Sequence, residues 1–367
     1  LMIANRTGPA LANGNWERFL ALRRAESSSD DIVRSDVLLQ PIAETLRHDP
    51  DNARANIRMA ALCIRRFEEG QRDSEVPLPL SQIRDAVQAS GFADLQQQND
   101  WLERVTGDNR RWLDLAYFHA HRALQLCPLQ GEAYVLLAEL SFLRGPESLP
   151  QQSLFEQALT VRPHDPQVLF AVGREAALAG DDEKAIALWR DAFHRERKCR
   201  RQIIALVGPR ISAEEFINHF EPNREHLVEM FRFYRDVQLT ESAAEVAGRL
   251  AEQTRALAHA NTGAEASELW YEAHGYFSFV QDDTNALDCI ENAVALAPLD
   301  YNYRRSLAGQ LLQSNDYARA IDELLWCRRQ KSNDPKVERL WALAQRGPSM
   351  DDLEETAAEI DVLDSVR

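Results

Sequence analysis

Nowhere in its 367 residues does the chain hold an apolar run of the roughly 18 residues that a membrane-crossing helix needs. Cysteine is scarce and never grouped. Cys63, Cys127, Cys199, Cys289 and Cys327 stand singly, their odd number cannot pair fully, and no C-x-x-C occurs. That excludes a disulfide framework and a thiolate zinc site, and suits buried thiols in a reducing compartment. Positive charge is in deficit: 42 Lys and Arg against 58 Asp and Glu give a net charge of -16. An acidic chain of this kind repels phosphate backbones, so nucleic acid is set aside as a partner. Phosphate-cradling loops are missing, with neither G-x-x-x-x-G-K-[ST] nor G-x-G-x-x-G, and there is no G-x-S-x-G elbow. Glycine and proline number only 15 each, and they fall at intervals rather than in clusters.

What is there is a period. Asp282, Ala286, Leu287 and Ile290 are answered 34 residues on by Asp316, Ala320, Ile321 and Leu324. Phe155, Ala158 and Leu159 are answered by Trp189, Ala192 and Phe193. Such a repeat in helix-forming residues marks an array of helix pairs, each packing on its neighbours. In the clearest unit, 166–197, Leu169, Val172, Gly173 and Ala176 share one helical face. Gly180-Asp181 breaks the helix, and Ala185, Ile186, Trp189, Ala192 and Phe193 form the next face. Small Gly173 and Ala185 let two helix axes approach, while Trp189 and Phe193 fill the space between them. In 267–298, Trp270, Ala273, His274 and Phe277 line a first helix, Gln281-Asp282-Asp283 turns the chain, and Pro298 ends the second helix. In 301–332, Leu307, Ala308 and Leu311 precede a turn at Asn315-Asp316-Tyr317.

These segments resemble tetratricopeptide repeats, whose pattern runs W-x2-L-G-x2-Y, A-x3-F, P. Trp270, the Gly173 position, the series Ala185, Ala286 and Ala320, and Pro298 carry the match. The fold expected is all-α: a right-handed superhelical solenoid of antiparallel helix pairs with a helical insertion. Its parts are a helix pair over 1–50, a repeat-like pair over 51–130 with a helical insertion at 68–110, and two repeats over 131–199. Degenerate pairs over 200–264, two repeats plus a capping helix over 265–346, and an acidic tail over 347–367 complete it.

Candidate chemistry is thin, and no catalytic, metal or cofactor site is expected. His119 and His121 are the only tight histidine pair, but residues two apart on a helix diverge, so one should pack and one be solvated. His274 stands where a small residue is usual; a hydrogen bond to the neighbouring helix is its expected role. The resemblance implies that first helices line a concave groove, with inward positions at Glu139, Phe142, Phe170, Arg174, Tyr271, Arg305 and Leu312. Aromatic and arginine side chains there suit a peptide. The Lys and Asn clamp that some family members use for C-terminal carboxylates is missing, the positions holding Val135, Glu139, Phe170, Arg174, Tyr271, Gly275, Arg305 and Gly309. A basic run, Arg195, Arg197, Lys198, Arg200 and Arg201, reads either as a helix C-terminus or as a docking patch for an acidic segment or a second copy.

The expected function is a non-catalytic scaffold that binds a protein or peptide segment, with self-association left open. A rival reading is the extracytoplasmic tail of a multi-span membrane enzyme whose catalytic part lies elsewhere. Leu1-Met2-Ile3-Ala4 and Leu126-Cys127-Pro128-Leu129-Gln130-Gly131-Glu132-Ala133-Tyr134 are similar to repeat tails of bacterial O-antigen ligase- or polymerase-like proteins. The first reading implies a cytoplasmic protein, the second a periplasmic domain.

Overall fold

A computed structural model describes residues 4–28, 34–72, 74, 77–145 and 150–346. Among them every regular element is a helix and no strand occurs. The acidic tail at 347–367 lies outside the described residues. No described helix is long and apolar enough to cross a membrane. The chain divides into two compact units, Leu1–Cys199 and Arg200–Arg367.

In the first unit, α1 (Ala4–Ser28) packs on α2 (Ser35–His48). Next, α3 (Ala53–Arg72) is separated in sequence from its partner by α4 (Leu80–Ser90) and α5 (Leu95–Thr106); that partner is α6 (Arg110–Leu126). Two shorter pairs follow: α7 (Gly131–Glu139) with α8 (Gln151–Val161), and α9 (Pro166–Leu178) with α10 (Asp182–Arg195). The division between units falls within α11 (Arg197–Val207). In the second unit, α12 (Ala213–Phe220) is followed by α13 (Arg224–Asp236) paired with α14 (Thr240–Ala260). Then come α15 (Gly263–Phe279) with α16 (Asp283–Leu296), and α17 (Tyr301–Gln313) with α18 (Tyr317–Gln330). The last helix, α19 (Pro335–Arg346), closes on that pair. The described residues thus form an all-α fold built from antiparallel helix pairs.

Four turns within pairs share one geometry, and the sequence explains it. Gly180, Gln238, Gln281 and Asn315 have φ of 80°, 61°, 60° and 60°, the left-handed region that ends a helix. The next N–H, of Asp181, Leu239, Asp282 or Asp316, donates back to Ala176, Tyr234, Phe277 or Leu311 at 2.9, 2.8, 2.9 and 2.8 Å. Three of these residues are aspartates whose carboxylates then cap the following helix, accepting from the N–H of Lys184, Asn285 and Arg319. Gly180-Asp181, Gln281-Asp282 and Asn315-Asp316 are therefore a stop and a start in consecutive residues. Between pairs the chain uses a different signal. Pro163 and Pro298 follow the ends of α8 and α16, and Asp165 and Asp300 then cap α9 and α17 by accepting two backbone N–H groups each.

The cores alternate small and large. Ala116, Ala120, Ala123, Ala158, Ala192, Ala286, Ala293 and Ala320 are fully buried where helices approach. Phe67, Phe193, Phe231, Tyr234 and Tyr276 fill the spaces between them. Gly173 faces the buried Trp189, whose Nε1–H donates to the Phe170 carbonyl at 3.0 Å. Any side chain at Gly173 would meet that indole, so the glycine here serves close approach.

Residues about one repeat apart in sequence are joined by side chains. Ser35 Oγ donates to Glu69 at 2.8 Å across 34 residues, Tyr271 and Ser306 hydroxyls meet at 3.2 Å across 35, and Tyr301 donates to Asp334 at 2.8 Å across 33. Arg174 pairs with Glu139 across 35. Polar contacts at about the sequence period thus occur inside each of the two units.

Candidate functional site

The groove candidates of the first unit lie on α7, α9 and the turn between α7 and α8. Glu139 and Arg174 form an ion pair across consecutive first helices, with the Arg174 side chain well exposed. Phe170 is half-buried against Trp189, ring centroids 6.5 Å apart. Phe142 does not line an accessible face. It is 6 % exposed, in the 3-10 turn Ser141–Arg144, and Gln98 of α5 donates to its carbonyl at 2.5 Å. The insertion packs on this turn and takes Phe142 into the core.

Two further parts of this face escaped sequence reasoning. Glu68 of α3 is half-buried near Glu139 and Arg174. Burial raises its carboxyl above the ordinary range, Arg72 and Arg174 pull it down, and Glu139 pushes it up. From the insertion, the buried Arg84 of α4 donates to Glu175 of α9 at 3.2 Å. Nothing in the sequence pairs Arg84 with Glu175, 91 positions away.

In the second unit, the ring of Tyr271 of α15 lies against that of Tyr303 of α17, tilted by 35° with centroids 4.6 Å apart. Its hydroxyl meets Ser306. Arg305 is mostly buried; its guanidinium lies 3.5 Å from Asp334 and 5.9 Å from the Tyr301 ring. Burial alone would raise the Asp334 carboxyl, but the Tyr301 hydroxyl, the Lys336 and Val337 N–H groups and Arg305 outweigh it and hold it below the usual range. Lys331 completes the cluster, its ammonium 4.1 Å from the Tyr301 ring centroid. Arg224 and Glu272 pair between α13 and α15. Leu312 is 3 % exposed and belongs to the core, on the side of α17 that faces its neighbours.

The basic run is not a uniform patch. Arg195 pairs with Asp191 one turn back at 2.5 Å. Arg200 is 6 % exposed and is taken inside the second unit. There Nε donates to Glu229 at 2.8 Å, and Nη1 donates to His226 Nε2 at 2.6 Å. An arginine only donates, so His226 accepts at Nε2. Arg197, Lys198 and Arg201 are exposed.

The histidines separate as the spacing suggests. His119 is half-buried, its Nδ1 2.8 Å from Asn56 Oδ1, and burial lowers its pKa. His121 is exposed and stacks on Tyr117. His274 is buried in the α15–α16 pair, where Nδ1–H donates to the Ala286 carbonyl at 3.1 Å. Among the described residues no group of three or more His, Cys, Asp or Glu is placed to hold a metal ion. The five cysteines are free thiols; burial pushes Cys63 and Cys289 up to about 12, and burial with the Glu196 hydrogen bond does so for Cys199.

No protein-family model matches the chain, and no curated protein does. Among solved structures it is similar to the TPR domain of P58(IPK), at 13 % identity and a TM-score of 0.27, over 94 % of this chain and 99 % of that one. Yeast Tom70 is similar at 12 % identity and a TM-score of 0.28, over 96 % and 99 % of the two chains. A chain of Naa15/Naa10 bound to HypK-THB gives 14 % and 0.28, over 90 % of this chain and 50 % of that one.

Proposed function

We propose that the chain is a non-catalytic scaffold that binds a segment of a protein partner along the exposed faces of its first helices. Each unit is assigned its own contacts: Glu139, Phe170 and Arg174 form one site in the first unit, and Tyr271 with the rim of Arg305 forms another in the second. One observation carries this reading. The polar and aromatic side chains of successive first helices are already paired at one-repeat spacing, Glu139 with Arg174 and Tyr271 with Ser306. A face held by such cross-helix contacts loses little side-chain freedom when a ligand arrives, which favours affinity at low ordering cost. Half-exposed tyrosine, phenylalanine and arginine are also the residue types that anchor peptides.

The test is selection of displayed peptides on the full chain, followed by hydrogen exchange of the strongest complexes. Protection is expected on α7 and α9, or on α15 and α17, and Tyr271→Ala or Arg174→Ala should weaken the corresponding peptides about tenfold or more. Protection confined to the second helices α8, α10, α16 and α18 would remove the assignment.

A further inference from the structure

Away from the first-helix faces, α6 carries a stripe that its packing does not use. Arg111, Leu115, Phe118 and Arg122 follow one another at spacings of four, three and four, a single helical face about 16 Å long. The core face of α6 is a different one, carried by Leu113, Ala116, Ala120 and Ala123. Phe118 is 60 % exposed and Leu115 is 42 % exposed, so two large apolar side chains stand one turn apart in solvent. A lone exposed leucine is ordinary; a phenylalanine and a leucine exposed on one stripe form a small contiguous apolar surface.

The charges around this stripe have one sign left over. Asp114 is engaged by Arg110 at 3.4 Å, and Asp51 by Arg122. Arg111 lies over the Trp112 ring at 5.1 Å, and Arg144 lies over the Tyr117 ring at 4.3 Å. Among the described residues neither of these two arginines has a carboxylate within ion-pair distance. Both are exposed, each held against a ring that fixes its position without neutralising it. In a chain of net charge -16 this is a local positive site with an apolar centre.

We propose that the outer face of α6 docks an acidic, amphipathic helical segment of a partner protein. Its apolar residues cover Leu115 and Phe118, and its carboxylates take Arg111 and Arg144. The apolar contact supplies affinity, and the charges supply choice. A basic segment meets two guanidinium groups at the stripe that no described carboxylate pairs, whereas an acidic one is matched here in a chain of net charge -16. Anchors at i, i+3 or i+4 and i+7 on one helix face are the usual means by which a helical ligand is read. This surface is separate from the groove proposed above and stands or falls independently of it.

The experiment is selection of a displayed library of peptides on the full chain, repeated with Phe118→Ser, Leu115→Ser and the charge-reversing pair Arg111→Glu, Arg144→Glu. All four sites are exposed, and far-ultraviolet circular dichroism should match the parent. The expected result is a set of peptides that lose roughly tenfold or more in affinity with Phe118→Ser. Those peptides should carry Asp or Glu on both sides of spaced apolar residues, and should also be lost with the arginine pair. Sedimentation of the same proteins identifies the alternative occupant. If Phe118→Ser converts a dimer to a monomer, the face belongs to a second copy and the proposal fails. It fails equally if no selected peptide depends on Phe118, or if the dependent peptides are basic or uncharged.

Discussion

Adding one methyl group at Gly173 sets two well-characterised effects against each other. A Cβ built there would lie 2.6 Å from Cδ1 and 2.6 Å from Nε1 of Trp189, and 3.2 Å from Cε2. No real side chain tolerates the first two distances, so the indole must move or α9 must separate from α10. The indole has nowhere easy to go. It is 7 % exposed, and its N–H is committed to the Phe170 carbonyl. Overpacking of this kind costs about 1–3 kcal/mol, and losing the hydrogen bond adds about 1 kcal/mol. Against that, alanine is favoured over glycine inside a helix by about 1 kcal/mol. The balance is a destabilisation of about 1–3 kcal/mol for Gly173→Ala. Trp189→Phe should itself destabilise, but it frees the space, and Gly173→Ala placed on it should then be neutral or stabilising. A double-mutant cycle read by urea unfolding, with hydrogen exchange of the α9 and α10 amides as a local measure, separates the two terms. If Gly173→Ala raises the unfolding midpoint in the parent chain, helix propensity has won and the close approach described here is wrong.

Three other outcomes follow from the same structure. Arg200→Ala removes a guanidinium from the mostly buried Glu229 and from His226 and should cost about 3–5 kcal/mol, while Arg200→Met with Glu229→Leu should recover much of that; equal costs for the single and double changes would refute a buried pair. His274 is held down to about 4 by burial, only partly offset by the Ala286 carbonyl, so the folded chain resists its protonation. The stability it contributes is complete above its unfolded value of 6.5 and is lost as pH falls from there towards about 4. That gap corresponds to roughly 3 kcal/mol, and the pH dependence of the urea midpoint should shrink by that amount in His274→Leu. Gln281 holds a left-handed φ that glycine adopts without strain, so Gln281→Gly should gain about 0.5–1 kcal/mol, and Asp282→Ala beside it should lose about 1 kcal/mol. Thermal midpoints moving the other way would show that the shared turn is not under strain.

The helix-pair architecture was legible because its punctuation is local. Gly180-Asp181 and Gln281-Asp282 state stop and start in adjacent residues, and buried alanines recur at the period of the stack. Side-chain fates at a distance were not legible. Phe142 sits at a position that repeat spacing assigns to the groove, yet the insertion at 68–110 supplies Gln98 and covers it. Arg200 reads as one cation in a basic run, and only the fold brings Glu229 and His226 to it. On α6 the apolar spacing of Leu115 and Phe118 resembles a core face; the helix has a second, alanine-rich face that wins the contact with α3, because small residues let the axes come closer.

The split pair has a consequence for how the chain reaches its native state. Helices α9 and α10 are joined by three residues, Ala179, Gly180 and Asp181, whereas α3 must wait for everything between Arg72 and Arg110 before α6 can close on it. Closing the longer loop costs roughly 2 kcal/mol more in chain entropy, taking about 0.6 kcal/mol for each doubling of length. The α9–α10 pair is therefore placed to nucleate, and the α3–α6 contact to form late. Pulsed hydrogen exchange during refolding should protect α9 and α10 before α3. The same ordering makes the 68–110 segment a kinetic gate: substitutions that destabilise α4 or α5 should slow completion of the first unit more than equal losses elsewhere.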